Sequence, residues 1–564
     1  MFRQVALGVA IILLLALGGL LLNPTAALLL LQGLLALSLL GLLLAAAWLV
    51  YRYHRWHRSH GHWPRPKHYD RNLIVIGAGA AGLVSAYIAA TVKARVTLVE
   101  AHKMGGDCLN TGCVPSKALI QSAKQAHRMR HAERYGLQAT EPVFAFRQMM
   151  SRVQQVIDRI APHDSIERYQ SLGVEVLQGH ARLIDPWTVA ITAEDGSEQR
   201  LTTRAVIIAT GARPFVPPLP GIDEVGYLTS DTLWQTLSEM EQPPARLVVL
   251  GGGPIGCELA QAMARLGSQV MQVQRGPRLL PNEDEAVSAL AHKALGESGV
   301  EVLVDHEALR CEREGQRRFI VVQQGSEQRR IEFDALLCAV GRVPRLEGYG
   351  LEALGIETQR TVVTNDYLET LYPHILAAGD VAGPYQFTHA AAHQAWYAAV
   401  NGLFGQFKRF KVDYRVMPWV TFTSPEVARV GLSEAEAREQ GVAYEVTRYG
   451  LDDLDRAIAE SEDHGFIKVL TPPGKDKILG VVVVGSHAAE ILAEFTLAMK
   501  HGLGLNKILG TIHPYPTWNE SAKYAAGEWK RAHAPEGILK LLEKLHGWRR
   551  GKNTKVLRNS YAPD

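Results

Sequence analysis

The stretch GGDCLNTGCVPSK, residues 105–117, holds two of the chain's five cysteines, Cys108 and Cys113, and Lys117 follows the second by four positions. Two thiols this close in sequence are the residues best suited to redox chemistry, because a thiolate can attack, exchange and re-form a disulfide. The other three, Cys257, Cys311 and Cys338, are scattered. That distribution is not the dense, even-numbered framework of a secreted disulfide scaffold, and a reducing compartment fits it better. Cys338 lies in an apolar run and Cys257 on the small face of an expected helix, where packing accounts for them; Cys311 lies among charges, and its role stays open.

Glycines mark a second chemistry. In LIVIGAGAAGLVSAYIAATVKARVTLVE, Leu73 to Glu100, an apolar strand runs into Gly77, Gly79 and Gly82, with Ala80 and Ala81 opening a helix and a second strand ending in an acid. The first glycine makes the turn, the second lets backbone approach a pyrophosphate, and the third lets helix and strand pack closely. The pyrophosphate would sit on the helix N-terminus, and Glu100 can accept from a ribose diol. The unit returns as LVVLGGGPIGCELAQAMARLGSQVMQVQ, Leu247 to Gln274, with Gly251, Gly253, Ile255 and Gly256. Gln274 stands where the first copy has Glu100, and Arg275 and Arg278 follow it. Loss of the carboxylate with arginines alongside points to a 2′-phosphate, so NADPH is expected over NADH; the alternative is that these arginines are solvated loop charges.

Two dinucleotide sites imply a flavin and a nicotinamide placed to exchange hydride. IIATGARP and LLCAVGRVP each read as a buried strand leaving through a glycine turn, which makes Thr210, Gly211, Gly341 and Arg342 candidate cofactor contacts, as Gly106 is. ILAAGDVAG places Gly379 and Asp380 after a strand, where Asp380 can take a ribityl hydroxyl.

These residues need large elements to position them. A chain of 564 residues exceeds one core, and a net charge of +3 gives no general reason to expect nucleic acid binding. Residues 5–22 and 26–50 carry no charge and are separated by Asn23-Pro24-Thr25, which suggests a two-helix transmembrane hairpin over 1–51. Arg3 before it, with Arg52, Arg55, Arg58, Arg65, Lys67 and Arg71 after it, would hold both ends and the catalytic domains in the cytoplasm at the inner membrane. A cleavable signal segment is the competing reading. In the basic linker 52–70, His54, His57, His60, His62 and His68 read as part of an interfacial collar rather than metal or haem ligands, and no metal site is expected.

Taken together, the motifs resemble the pyridine nucleotide-disulfide oxidoreductases of the lipoamide dehydrogenase, glutathione reductase and mercuric reductase group. PWVTFTSPEVARVGLSEAEA, Pro418 to Ala437, is similar to the start of that family's dimerisation domain. The resemblance spans about residues 71 to 530. It implies an α/β fold: two Rossmann-like domains, the FAD parts at 71–215 and 345–412 around an NAD(P) part at 216–344, then an α+β dimerisation domain at 413–530. The tail 531–564 is expected to pack one amphipathic helix on its own domain, with a membrane surface as the alternative. The resemblance further implies that Cys113 lies against the flavin, that Cys108 exchanges with substrate, and that Lys117 pairs with Glu258. A helix starting near Pro115 would lower the thiol pKa through its dipole.

The substrate end departs from the family pattern. Relatives carry a His-Pro with a glutamate a few residues on, and the histidine serves as acid/base at the partner's disulfide. Here TIHPYPTWNE places Tyr515 at that position, His513 two residues earlier and Glu520 after it. Tyrosine there is similar to mercuric reductase, yet that enzyme's C-terminal cysteine pair and N-terminal CxxC module are missing. Tyr515, His513 and Glu520 are all candidates. The expected function is a homodimeric, FAD-dependent NAD(P)H:disulfide oxidoreductase acting on a small disulfide, thiol or thiol-reactive acceptor. The alternatives are a quinone-reducing flavin dehydrogenase and a membrane scaffold that retains the fold.

Overall fold

In a computed structural model, residues 63–550 are described, with scattered helical positions between residues 25 and 50. The apolar strand Leu73–Ile76 runs through Gly77 into helix α1 (Ala80–Thr91), and the chain returns in the parallel strand Val96–Glu100. Around this unit a five-stranded parallel sheet forms in the order Ile375–Ala377, Val206–Ile208, Leu73–Ile76, Val96–Glu100, Val174–Gln178. Its strands are near-continuous apolar runs, as a sheet covered on both faces requires, except the edge strand Val174–Gln178, which alternates. A short helix α2 (Gly106–Asn110) and a long α3 (Cys113–Arg130) follow the second strand and carry the cysteine pair.

The second unit repeats the plan, with helix α4 (Pro254–Arg265) between the strands Arg246–Leu250 and Gln269–Val273 in a four-stranded parallel sheet. In both copies the third glycine is fixed by packing. A Cβ on Gly82 would stand 1.7 Å from the Gly77 carbonyl oxygen, and one on Gly256 would stand 2.1 Å from that of Gly251. The chain then returns to the first sheet through Ile375–Ala377, whose end leads by Gly379 and Asp380 to helix α5 (Thr388–Phe404) packed on α1.

The C-terminal part is a five-stranded antiparallel sheet, Pro418–Thr421, Glu426–Gly431, Gly480–Gly485, Phe466–Thr471, Glu445–Gly450, covered by α6 (Ala488–Lys500) and α7 (Glu520–Ala532). A buried lysine fastens it to the second unit: Lys468 Nζ lies 2.5 Å from Asp284 and 2.6 Å from Glu434.

Two expectations are corrected. Among the described residues no helix is long and apolar enough to cross a membrane, so the transmembrane hairpin, and with it the multi-pass inner-membrane location, is withdrawn. Most of 1–51, the linker to residue 62 with His54, His57, His60 and His62, and the tail from 551 lie outside the described residues. The tail helix α8 (Glu536–Arg549) has no buried residue, so the expected packing on its own domain is not made.

Candidate active site

Both glycine loops open on one cavity of about 2430 Å³. Gly77, Gly79, Ala80, Ala81, Glu100, Gly106, Thr210, Gly211, Gly379 and Asp380 line it from the first unit; Gly251, Gly253, Ile255, Glu258, Gln274, Arg275, Gly341 and Arg342 line it from the second. Gly82 and Gly256 stand behind, packing helix on strand. Cys108, Cys113 and Lys117 lie on the same wall. A Cβ on Gly106 would approach the Gly79 Cα to 2.7 Å, so the cysteine loop and the pyrophosphate loop are held in backbone contact. These linings suit two dinucleotides meeting near the cysteine pair.

Helix α3 starts at Cys113 itself, two residues before the expected Pro115. The sulfur therefore sits in the first turn, where unpaired N–H groups favour a thiolate. The Cys113 thiol is drawn down to about 6, chiefly by the hydrogen bond it takes from Cys108, then by Thr388 and the Lys117 ammonium, against the opposing effect of burial. Cys108 is pushed up by giving that hydrogen bond and by burial. Thr388 Oγ1 lies 3.4 Å from Cys113 Sγ. The motif reading missed this threonine, although a helix opening soon after the Asp380 turn was a visible signal.

Lys117 Nζ lies 2.7 Å from Glu258 Oε2, across from the second unit, and 4.5 Å from the Phe422 ring centroid. Glu258 is buried, and its other oxygen accepts the Phe422 N–H at 2.8 Å. The pair thus pins the cysteine helix to both the second unit and the C-terminal sheet. Arg342 pairs with Asp107 beside Cys108, and its Nε is 3.8 Å from Asp380, whose carboxyl burial pushes up and Arg342 partly draws back.

The side chains that end the two nucleotide units differ, a carboxylate in the first and an amide in the second. Glu100 accepts from Ala78 N–H at 2.6 Å and His102 N–H at 2.8 Å. Gln274 Oε1 accepts from Gly252 N–H at 2.8 Å, so its amide oxygen is bound to the loop and its NH₂ is left to donate. Arg275 lines the cavity, while Arg278 donates to the Pro281 carbonyl and does not. Cys257, Cys311 and Cys338 are all buried, Cys338 where its strand borders the cavity, and Cys311 is resolved as a packed strand residue.

The three candidates at the substrate end are separated from this cavity: none of His513, Tyr515 and Glu520 lines it. His513 is buried, its Nε2 3.0 Å from Glu494, and Glu494 also accepts from Asn519. Glu520 is buried and accepts the Thr517 N–H at 3.2 Å. Tyr515 alone is presented outward, 67% exposed, with its hydroxyl donating to Asp455 at 2.8 Å.

Residues 71–395 match the pyridine nucleotide-disulphide oxidoreductase family, and residues 417–526 match that family's dimerisation domain. The chain is 34% identical over 459 residues to a mercuric reductase of Bacillus cereus, covering 81% of this chain and 71% of that protein. It is 36% identical over 467 residues to a dihydrolipoyl dehydrogenase of Thermus scotoductus, covering 82% and 97%. Among solved structures, LpdA from Mycobacterium tuberculosis superposes with a TM-score of 0.74 at 28% identity, covering 81% of this chain and 99% of that one. A HOCl-induced flavoprotein disulfide reductase from Escherichia coli, solved as a Cu(II) complex, gives 0.72 at 26% identity with the same coverage. The chain therefore belongs to the pyridine nucleotide-disulphide oxidoreductases, FAD-dependent enzymes that draw on NAD(P)H, and within them to the mercuric reductase and lipoamide dehydrogenase type.

Proposed function

We propose that this chain, as a homodimer, transfers electrons from NADPH through FAD to a Cys108–Cys113 disulfide and from there to a disulfide or thiol-reactive acceptor. The main support is that both glycine loops, both cysteines and the Lys117–Glu258 pair share one cavity. Bound flavin would supply the two-electron exchange between nicotinamide and disulfide. The chain's own residues do the rest. Lys117, held by Glu258, sets a fixed positive charge in the cavity beside the cysteine helix. Reduction opens the disulfide, leaving Cys113 as thiolate and Cys108 as thiol. Cys108 then attacks one acceptor sulfur, and its proton passes to the other, which departs as thiol. Cys113 thiolate attacks Cys108, the second acceptor sulfur departs and takes a proton from solvent, and the internal disulfide re-forms. The sum is NADPH + H⁺ + RSSR giving NADP⁺ + 2 RSH.

NADPH is favoured by the direction of the Gln274 amide. A carboxylate in that place accepts from a ribose diol, whereas an NH₂ beside the Arg275 guanidinium donates to a 2′-phosphate. Tyr515, being exposed and outside its own chain's cavity, is assigned to the acceptor at the partner subunit's Cys108, and His513 to a structural role.

Purified holoenzyme is to be assayed with NADPH and NADH against lipoamide, glutathione disulfide, Hg(II), Cu(II) and a water-soluble quinone. NADPH is expected to give the higher kcat/KM, and Gln274→Glu to shift the ratio toward NADH. Cys113→Ser should abolish both the thiolate-to-flavin absorption band and turnover. Quinone turnover that survives this variant, with no disulfide or metal acceptor used, would replace this reading with a flavin dehydrogenase.

A further inference from the structure

Tyr515 occupies the place where the resemblance puts a histidine followed by a glutamate, but the glutamate of this chain, Glu520, does not bond to it. Glu520 is turned inward, 4% exposed, accepting the Thr517 N–H at 3.2 Å with Tyr524 Oη at 3.4 Å. The Tyr515 hydroxyl reaches instead to a carboxylate sixty positions away in sequence, Asp455 Oδ2, at 2.8 Å. We propose that Asp455 is the positioning residue for Tyr515, in place of Glu520, and that it fixes the phenol which meets the acceptor.

The surroundings are built for this. Asp455 opens the short helix Asp455–Ala459, and Glu460, just past that helix, accepts from Trp518 Nε1 at 3.2 Å. One short element thus grips the segment on both sides of Pro516, while His513 and Asn519 tie it to Glu494. The hydroxyl is thus anchored although the residue is 67% exposed. With its O–H committed to Asp455, the phenol turns its oxygen lone pairs outward as acceptors. Asp455 raises the phenol's pKa by that hydrogen bond and its charge, with Glu520 and Tyr524 adding to the effect. Tyr515 therefore stays neutral near pH 7 and orients the acceptor rather than taking a proton from it.

This inference rests on the proposed reading of Cys108 and Cys113, and the two fail differently. Asp455→Asn removes the carboxylate charge and leaves the phenol hydroxyl at best a neutral amide acceptor. The expected result is a three- to tenfold rise in KM, about the loss of one hydrogen bond, for lipoamide and Hg(II), whichever is turned over. Rapid mixing should place the loss in reoxidation by the acceptor and not in reduction by NADPH. Asp455→Glu should recover part of the effect, and Asp455→Asn combined with Tyr515→Phe should be no worse than Tyr515→Phe. Independently of any acceptor, the phenolate difference spectrum, wild type minus Tyr515→Phe, should titrate at lower pH in Asp455→Asn. An unmoved phenolate titration, multiplicative effects in the double variant, or a KM shift in Glu520→Gln but not in Asp455→Asn would overturn the assignment. Failure of the cysteine reading would show separately, as turnover surviving Cys113→Ser.

Discussion

At the scale of single residues, the state of Cys113 is set by its immediate surroundings. Its place at the start of α3, the Cys108 and Thr388 hydrogen bonds and the Lys117 charge all favour the thiolate. With the folded value near 6, below the reference thiol, the thiolate is present above that pH and is lost as pH falls through it. In the reduced holoenzyme the thiolate-to-flavin band should therefore fade with a midpoint near pH 6. Thr388→Val, which removes a bond to the charged form, should move the midpoint upward, as followed by absorbance at constant ionic strength. Glu100 and Gln274 illustrate the same sensitivity: one atom differs, and the site's hydrogen-bonding polarity changes.

At the scale of elements, the contact that seats the C-terminal sheet on the second nucleotide unit carries a stability prediction. Lys468 is buried between Asp284 and Glu434. Lys468→Met would leave two carboxylates facing each other in low dielectric, at a cost of about 3–5 kcal/mol. Burial pushes the Asp284 carboxyl up, but the Lys468 bond and charge and the N–H groups of Glu434 and Ala435 outweigh it and hold it low. A carboxyl lowered on folding adds stability above its unfolded pKa, about 3.9, and loses it as pH falls through the folded value. The gap between wild type and Lys468→Met in urea midpoint should accordingly be full at pH 7 and shrink in acid. Much of the architecture behind this contact was legible in the sequence, because a strand running into spaced glycines and then a small-residue helix is a local pattern. The same holds for Lys117, one turn beyond Cys113 on α3. The substrate end was not legible in this way: in the irregular run from Thr511, spacing does not say which side chain faces out. The holders of His513 and Tyr515, Glu494 and Asp455, come from distant elements that no local period could nominate. The apolar N-terminal runs misled for a related reason, since hydropathy there was read as a spanning hairpin while no helix among the described residues is long and apolar enough to cross a membrane.

At the scale of the whole molecule, the cavity that holds the cysteines contains none of the residues at the substrate end. If Tyr515 serves the partner subunit's Cys108, two individually defective chains can repair each other. Mixed dimers of Cys113→Ser and Tyr515→Phe subunits should each have one intact site and show about half the wild-type turnover, while either parent dimer shows far less. Differently tagged subunits, co-expressed and purified through both tags, measure this. Within its own chain α8 buries no side chain. The displaced tyrosine also has a genetic meaning. A chain carrying both lesions, paired with a normal chain, spoils its own cysteine site and withholds its phenol from the other, so one faulty copy would silence both sites. Defects confined to one end of the chain would behave as recessive and complementing, and those spanning both ends as dominant.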